Sequence, residues 1–503
     1  MNMREAVRLV RGSGFAIAAA IGLAAVCDWL LYGRVIGWSA AVLVLCVLAV
    51  VVVRAWGMVR RISGVVCAAL VVGMAAALAK EPSLLAGLMA LVLLGICAMV
   101  GRGTWSGRLL VWARRWAVLL VRGPLQGPLD AVLGMRWVWR HPRARGGRAL
   151  LRVGAWVLPV AVGLVFAALF AAANPVIGAW VRSAWDRLAT ALEWLPQLFT
   201  PGRLAMWAVM GVGAYALQRY RQPSWARGRA DVERPPVAGG GIGLGLVMRG
   251  LVLFNLVFAV QTGMDVVYLW GRKALPHHLT YAEYAHRGAY PLVATALLAA
   301  AIVLACFQRG GAAQRSAWAR RLVFVWIGQN VFLMMSTIWR IWLYVDAYSL
   351  TRWRIAAIIW VGLVAVGFAW IVAKIVAGRS NAWLCRVNVA TALAVLYLCA
   401  FCNFSGWIAE FNVRHCREVD GRGAPLDKAY LRELGVAALP AVEWVKGRVA
   451  VQDVETELRR QLGHELADWR GWTWQRARVA AQIPPLLPEP EAPERQRLAW
   501  RGR

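Results

Sequence analysis

The sequence predicts an all-α polytopic membrane protein, with about 11 transmembrane helices and a small helical C-terminal extramembrane domain. Three observations carry this. Of 503 residues, 60% fall in the set AVILMFWYC and 16% are charged. A water-soluble chain of that size would lack the polar surface to cover so much apolar side chain. Apolar runs near the length of about 20 residues that crosses a hydrocarbon core recur along the chain as far as Trp407. The net charge of +32 is also lopsided: 41 basic and 11 acidic residues precede Trp407, against 16 and 14 from residue 409 onward. A soluble enzyme, a disordered tail and a secreted disulfide scaffold are excluded as descriptions of the whole chain.

The first section, 1–100, holds candidate spans at 13–32, 36–53, 62–79 and 83–100. Arg4, Arg8 and Arg11 before the apolar Gly14–Cys27 stretch resemble the start of a signal peptide. A second apolar run follows at once, and Val26 is a poor residue before a lipoprotein cysteine, so an uncleaved first span is expected. Section 101–148 is basic, and over 105–122 it alternates Arg108, Arg114, Arg115 and Arg122 with Trp112, Trp116, Leu119 and Leu120. That pattern suits a helix lying on the membrane with its arginines toward anionic lipid headgroups. A solvated basic loop is the plainer alternative.

Section 149–407 holds seven more candidates: 150–172, 204–218, 244–270, 288–307, 321–345, 355–377 and 384–407. The Arg-, Pro- and Gly-rich stretch 218–243 reads as a linker, and its Gly239, Gly241 and Gly243 lack the preceding strand a phosphate loop needs. Alternating the loops places 30 basic residues on one side and 11 on the other. Basic loops stay in the cytoplasm, so the N-terminus is expected inside and the tail outside. The same rule accounts for the arginines without nucleic acid.

From 408 the character changes. Val451, Val454, Leu458 and Leu462 keep helical spacing, so 408–483 is expected to be an exported helical domain docked on the membrane through Trp469, Trp472 and Trp474. The Pro/Glu/Arg-rich 484–503 is expected to be disordered. Cys399 and Cys402 form a CxxC with no second pair and no histidine at ligand spacing, so neither a metal nor a cofactor is expected.

Long polar strings lie between the later spans. They are Leu275-Pro276 through Tyr281, Glu283 and Arg287 to Gly288, then Arg340 through Tyr344, Asp346 and Tyr348 to Thr351, then Phe411-Asn412-Val413 and Leu426-Asp427 to Tyr430-Leu431. On these strings residues 174–450 resemble a family of bacterial multi-pass inner-membrane proteins catalogued as a domain of unknown function, number four-one-seven-three (DUF4173). The resemblance implies a bacterial inner-membrane protein, supplies no activity, and leaves 1–148 as the variable part. The chain departs from that pattern at Ser349, where it resembles Gly, and at Pro291, where it is often acidic.

Ionisable groups inside spans are functional candidates by default, because their insertion costs a few kcal/mol. Asp28 and Lys80 lie near span ends and read as anchors. Asp265 and Arg340 lie at similar depth in spans seven and nine. Asn255, Thr262 and Asp265 share their offsets with Asn330, Thr337 and Arg340, and each set falls within an arc of about 80°. Two parallel helices would therefore pair Asn with Asn, Thr with Thr and Asp with Arg at three levels; unrelated packing contacts are the alternative. The outer loops gather His278, Glu283 and Arg287, then Asp346 and Tyr348, as a ligand site or as interfacial anchors.

Function follows loosely from these features. The first expectation is a non-enzymatic protein of envelope sensing, scaffolding or ligand binding, with an outward-facing polar cleft between spans seven, eight and nine. A transporter or permease of a small or anionic solute is the second. A membrane enzyme on a lipid-linked substrate, with Glu283 and Asp346 as its acids, is the third.

Overall fold

The computed structural model describes residues 3–56, 60–101, 109–140, 199–219, 244–271 and 312–486, with single positions between them. Apart from a bridge between Lys446 and Val449, the regular elements among them are helices. In chain order these are α1 Met3–Leu31, α2 Ser39–Arg54, α3 Ile62–Lys80, α4 Leu84–Val100, α5 Leu109–Arg140 and α6 Pro201–Arg219. Then come α7 Leu244–Met264, a π-helical segment Asp265–Trp270, α8 Ala317–Tyr348, α9 Arg352–Val376 and α10 Asn381–Cys399. The tail folds as α11 Phe404–Arg414, α12 Lys428–Leu434, α13 Leu439–Val445, α14 Gln452–Leu466 and α15 Trp474–Gln482.

Local signals set many of these boundaries. The side chains of Ser83, Ser316, Ser380, Asn403, Asp427 and Thr473 each accept a hydrogen bond from the first turn they precede. Pro82 pushes Glu81 into extended backbone and so ends α3 at Lys80.

Among the described residues, six helices are long and apolar enough to cross a membrane: Gly14–Leu31, Ile62–Lys80, Leu244–Trp270, Ala317–Tyr348, Arg352–Val376 and Asn381–Cys399. The apolar α2 and α4 are shorter, at 16 and 17 residues. Residues 204–218 are helical within α6, which falls outside the six. The candidates at 150–172 and 288–307 lie almost wholly outside the described residues. The last expected span, 384–407, ends early: α10 stops at Cys399 and Asn403 starts α11 by accepting from the Gly406 amide at 2.8 Å.

Inside a bilayer, helices gain little from burying apolar surface against each other, and close packing of small residues replaces that drive. Ala16, Ala20, Leu23, Cys27 and Leu30 form one buried stripe on α1, which packs against α6. Gly73 lies under Tyr397 and Gly95 under the Trp116 ring, where a Cβ would collide. A second bundle, α7 to α9, closes around Trp326, whose ring meets Phe258 at 5.9 Å and Phe368 at 5.7 Å.

The basic segment forms one helix, α5, extending well past the expected 105–122 despite Pro124 and Pro128. It braces the ends of α4 and α6: Trp116 sits on Gly95, and Asp130 accepts from Tyr215 at 2.8 Å and Arg219 at 2.9 Å. Arg114 and Arg122 are exposed, but Arg115 is buried beside Trp112 and Leu120 is exposed. The alternation therefore serves packing on α4 as well as a surface.

Helix directions sort the loops into two sets. The turns after α1, α3, α8 and α10 gather on one face, where the tail docks. Trp38 donates through its backbone N–H to Trp472 O and through Nε1 to Trp469 O, each at 2.9 Å. The Trp469 ring lies 5.5 Å from Trp29, and Arg470 stacks on both rings. Trp469 and Trp472 thus touch the α1–α2 turn and Trp474 lies beside Arg478, while all three rings stay exposed. The tail's core is continuous with the membrane bundle, because Val345 and Leu350 at the α8–α9 turn pack with Ile408, Val442, Val454 and Leu458.

Candidate functional site

Asp265 and Arg340 meet. The π-helical segment at the end of α7 buries Asp265, whose carboxylate accepts from Arg340 Nη2 and, at 2.9 Å, from Gln261 Nε2. Both side chains of the ion pair are almost completely enclosed. Trp270 roofs them, stacking on Trp339 at 5.8 Å and donating to Ser336 Oγ at 3.1 Å. The segment closes with the Gly271 amide on Val266 O at 2.8 Å, and a Cβ on Gly271 would stand 2.6 Å from Val267 O. Only glycine fits that closure.

The other two levels of the matched face do not form. Asn255 donates to Leu251 O at 2.7 Å and Leu322 O at 3.1 Å, while Asn330 donates to Trp326 O at 2.8 Å. Thr337 returns to Leu333 O at 2.8 Å, and Thr262 is half-buried with no hydrogen bond among the described residues. Asn330 and Thr337 bond the carbonyl four residues back, and Asn255 divides its amide between its own helix and the α8 backbone, so neither side-chain pair forms. Of the three matched levels, the longer Arg340 is the one whose side chain meets its counterpart.

His278, Glu283 and Arg287 lie outside the described residues. Asp346 and Tyr348 end α8 exposed. The Tyr348 carbonyl accepts from Arg354 Nη1 at 2.7 Å, and Arg354 stacks on Tyr344, so Arg354 ties the start of α9 to the end of α8. Asp28 is more than an anchor: Arg203 grips it with two bonds of 2.5 and 2.6 Å, and Trp207 donates at 3.0 Å. Lys80 donates to Phe401 O at 2.6 Å, tying α3 to the end of α10.

The remaining polar strings build a clamp. Asn412 on α11 accepts from Leu350 N at 2.6 Å and donates to Leu350 O at 2.9 Å. Tyr430 OH accepts from Arg352 N at 3.0 Å, and Asp427 caps the helix that carries Tyr430. Between these grips Ser349 has φ 67° and ψ 169°, a region that is close to glycine-only. The clamp holds a turn that serine disfavours.

Sequence reasoning missed a cavity of about 900 Å³ below the tail, at the junction of α3–α4, α9, α10 and the extramembrane helices. One wall is the face of α9 carrying Ile355, Ile359, Trp360 and Leu363, with Leu396 and Cys399 of α10 beside it. Its roof carries Gln461, Glu465, Gln475 and Arg476, and its rim Lys80, Glu81 and Arg352. Glu465 is neutralised by Arg476 at 2.6 Å. Burial pushes the Glu81 carboxyl above its usual range, against the pull of Lys80, Arg476 and Arg352. This is not the cleft expected between spans seven, eight and nine. The 355/359/363 spacing was visible in the sequence, but which surface faced it was not. Among the described residues, no group of three His, Cys, Asp or Glu side chains is placed to hold a metal.

No curated protein and no solved structure matches the chain. A family of unknown function does match, over residues 65–444, and it is not DUF4173. The polar strings misled because Tyr, Arg and Trp at span ends are demanded by the bilayer interface in any multi-pass protein. The match also takes in α3, α4 and α5, so much of what read as a variable region lies inside it. Covering well over half of the sequence, it establishes that the chain belongs to the family described as Domain of unknown function (DUF4153).

Proposed function

We propose that this integral membrane protein is non-enzymatic and binds an amphipathic ligand beneath its extramembrane domain, in an envelope-sensing or scaffolding role. The cavity of about 900 Å³ carries the proposal, since its walls are apolar at the ends of α9 and α10 and its roof is polar. Its volume lies toward the upper end of the roughly 300–1,000 Å³ typical of ligand sites. The test is native mass spectrometry of the purified protein beside Ile359→Trp, which obstructs the apolar wall of the cavity. Wild type should carry a bound amphiphile through detergent exchange, and the variant should lose it with its melting temperature unchanged. Equal retention in both would overturn the proposal.

The charge asymmetry supports an orientation with the N-terminus and α5 cytoplasmic and the tail outside. An export-dependent reporter fused after Gln482 should be active, and one near Arg143 silent. An inactive tail fusion would reverse the orientation. The exposed Arg114 and Arg122 of α5 support contact with anionic headgroups. A peptide over 105–122 should bind anionic vesicles and release them as salt rises; equal binding to neutral vesicles would remove the electrostatic contribution.

A transporter of a small or anionic solute is the second reading. The observation favouring it is the buried Asp265–Arg340 pair on a π-helical segment, a distortion that concentrates at functional sites. Solute flux in reconstituted vesicles, abolished by Arg340→Gln, would install it over the first.

A further inference from the structure

Within the cavity, the charged groups differ in how far they are already committed. Glu465 and Arg476 satisfy each other, and Lys80 is held by Phe401 O. Two groups are left with capacity. The Glu81 carboxylate lies in the field of Lys80, Arg476 and Arg352 but makes no side-chain hydrogen bond or close ion pair among the described residues, although it lines the cavity and is half-buried. Arg352 gives one Nη2 bond of 3.0 Å to Ser405, and the carboxylate it faces, Glu433, stands 3.9 Å away and well exposed. The rim therefore offers one spare anion and one spare cation, set above an apolar wall.

We propose that the cavity binds a zwitterionic phospholipid with a primary ammonium headgroup, its phosphate on Arg352 and its ammonium on Glu81. This rests on the amphipathic-ligand reading above and adds the headgroup class to it.

The chemistry discriminates among headgroups. A guanidinium matches phosphate oxygens with paired N–H donors, whatever the rest of the head. A half-buried carboxylate with no partner gains from a donor cation that can approach to hydrogen-bond distance. A primary ammonium has three N–H donors for that purpose and a trimethylated one has none. A headgroup with no cation leaves Glu81 facing the phosphate uncompensated. Burial raises the Glu81 carboxyl even against the pull of Lys80, Arg476 and Arg352, so a cation hydrogen-bonded directly to it would favour its charged form. Below the rim, Ile355, Ile359 and Leu363 repeat along one face of α9 and give an acyl chain a continuous apolar track.

The full-length protein in detergent is titrated calorimetrically with short-chain phosphatidylethanolamine, phosphatidylcholine and phosphatidylglycerol of identical chains. The ethanolamine lipid should bind at least about tenfold more tightly than either of the others, the scale of one charge-assisted hydrogen bond. Glu81→Gln should erase the advantage over phosphatidylcholine while leaving phosphatidylcholine affinity within about twofold, which also shows that the variant is folded. Arg352→Gln should weaken all three. Binding of all three with no preference, a preference for phosphatidylglycerol, or an ethanolamine preference untouched by Glu81→Gln would overturn the headgroup assignment and leave the amphipathic cavity standing. Binding of none would overturn both.

Discussion

Asp265→Asn is expected to be among the most damaging single substitutions in the membrane region, costing about 3–5 kcal/mol of stability in detergent. The pair is enclosed on both sides, so removing the carboxylate takes the opposite charge from a buried guanidinium that cannot shed its proton. Arg340→Gln should cost less, because a lone carboxyl can neutralise itself by taking up a proton. The double variant removes both charges and should recover much of the loss, giving a non-additive cycle. Thermal unfolding of the four proteins checks this, and strict additivity would mean that the two charges do not depend on each other. A flux or growth phenotype persisting in a double variant of restored stability would give the charges a role beyond holding α7 to α8.

The second large effect belongs to Asn412. Asn412→Leu keeps the volume but leaves the buried Leu350 N–H and C=O without their partner. Each orphaned group costs about 1–3 kcal/mol, so roughly 2–5 kcal/mol is expected in all. The turn it releases contains Ser349 in a conformation that itself costs on the order of 1–3 kcal/mol. Ser349→Gly alone should therefore raise stability, and in the Asn412→Leu background it should restore part of the loss. Protease susceptibility at the α8–α9 turn is the readout. A neutral Ser349→Gly would show that the turn is not strained.

Composition and periodicity determined much of this protein before any contact was known. An apolar majority with few charges requires membrane-spanning segments, and apolar runs near 20 residues make them helices, which satisfy their backbone groups within their own segment. Caps such as Ser83, Ser316 and Asp427 are written locally, because a side chain that bonds the turn following it needs no tertiary partner. The Asp265–Arg340 pair was legible for a similar reason: two charges at equal depth on parallel helices have few other ways to be compensated. The tertiary structure decided the rest. Asn330 and Thr337 turned to their own helices and Asn255 to backbone carbonyls of both, because a carbonyl four residues back is within easy reach of a short side chain. The cavity depends on Glu81, Ile359, Arg352 and Glu465, which are far apart in sequence and are joined only when the tail folds back over α9 and α10. Periodicity shows that a helix has an apolar face; which surface comes to lie opposite is set by the packing of the whole chain.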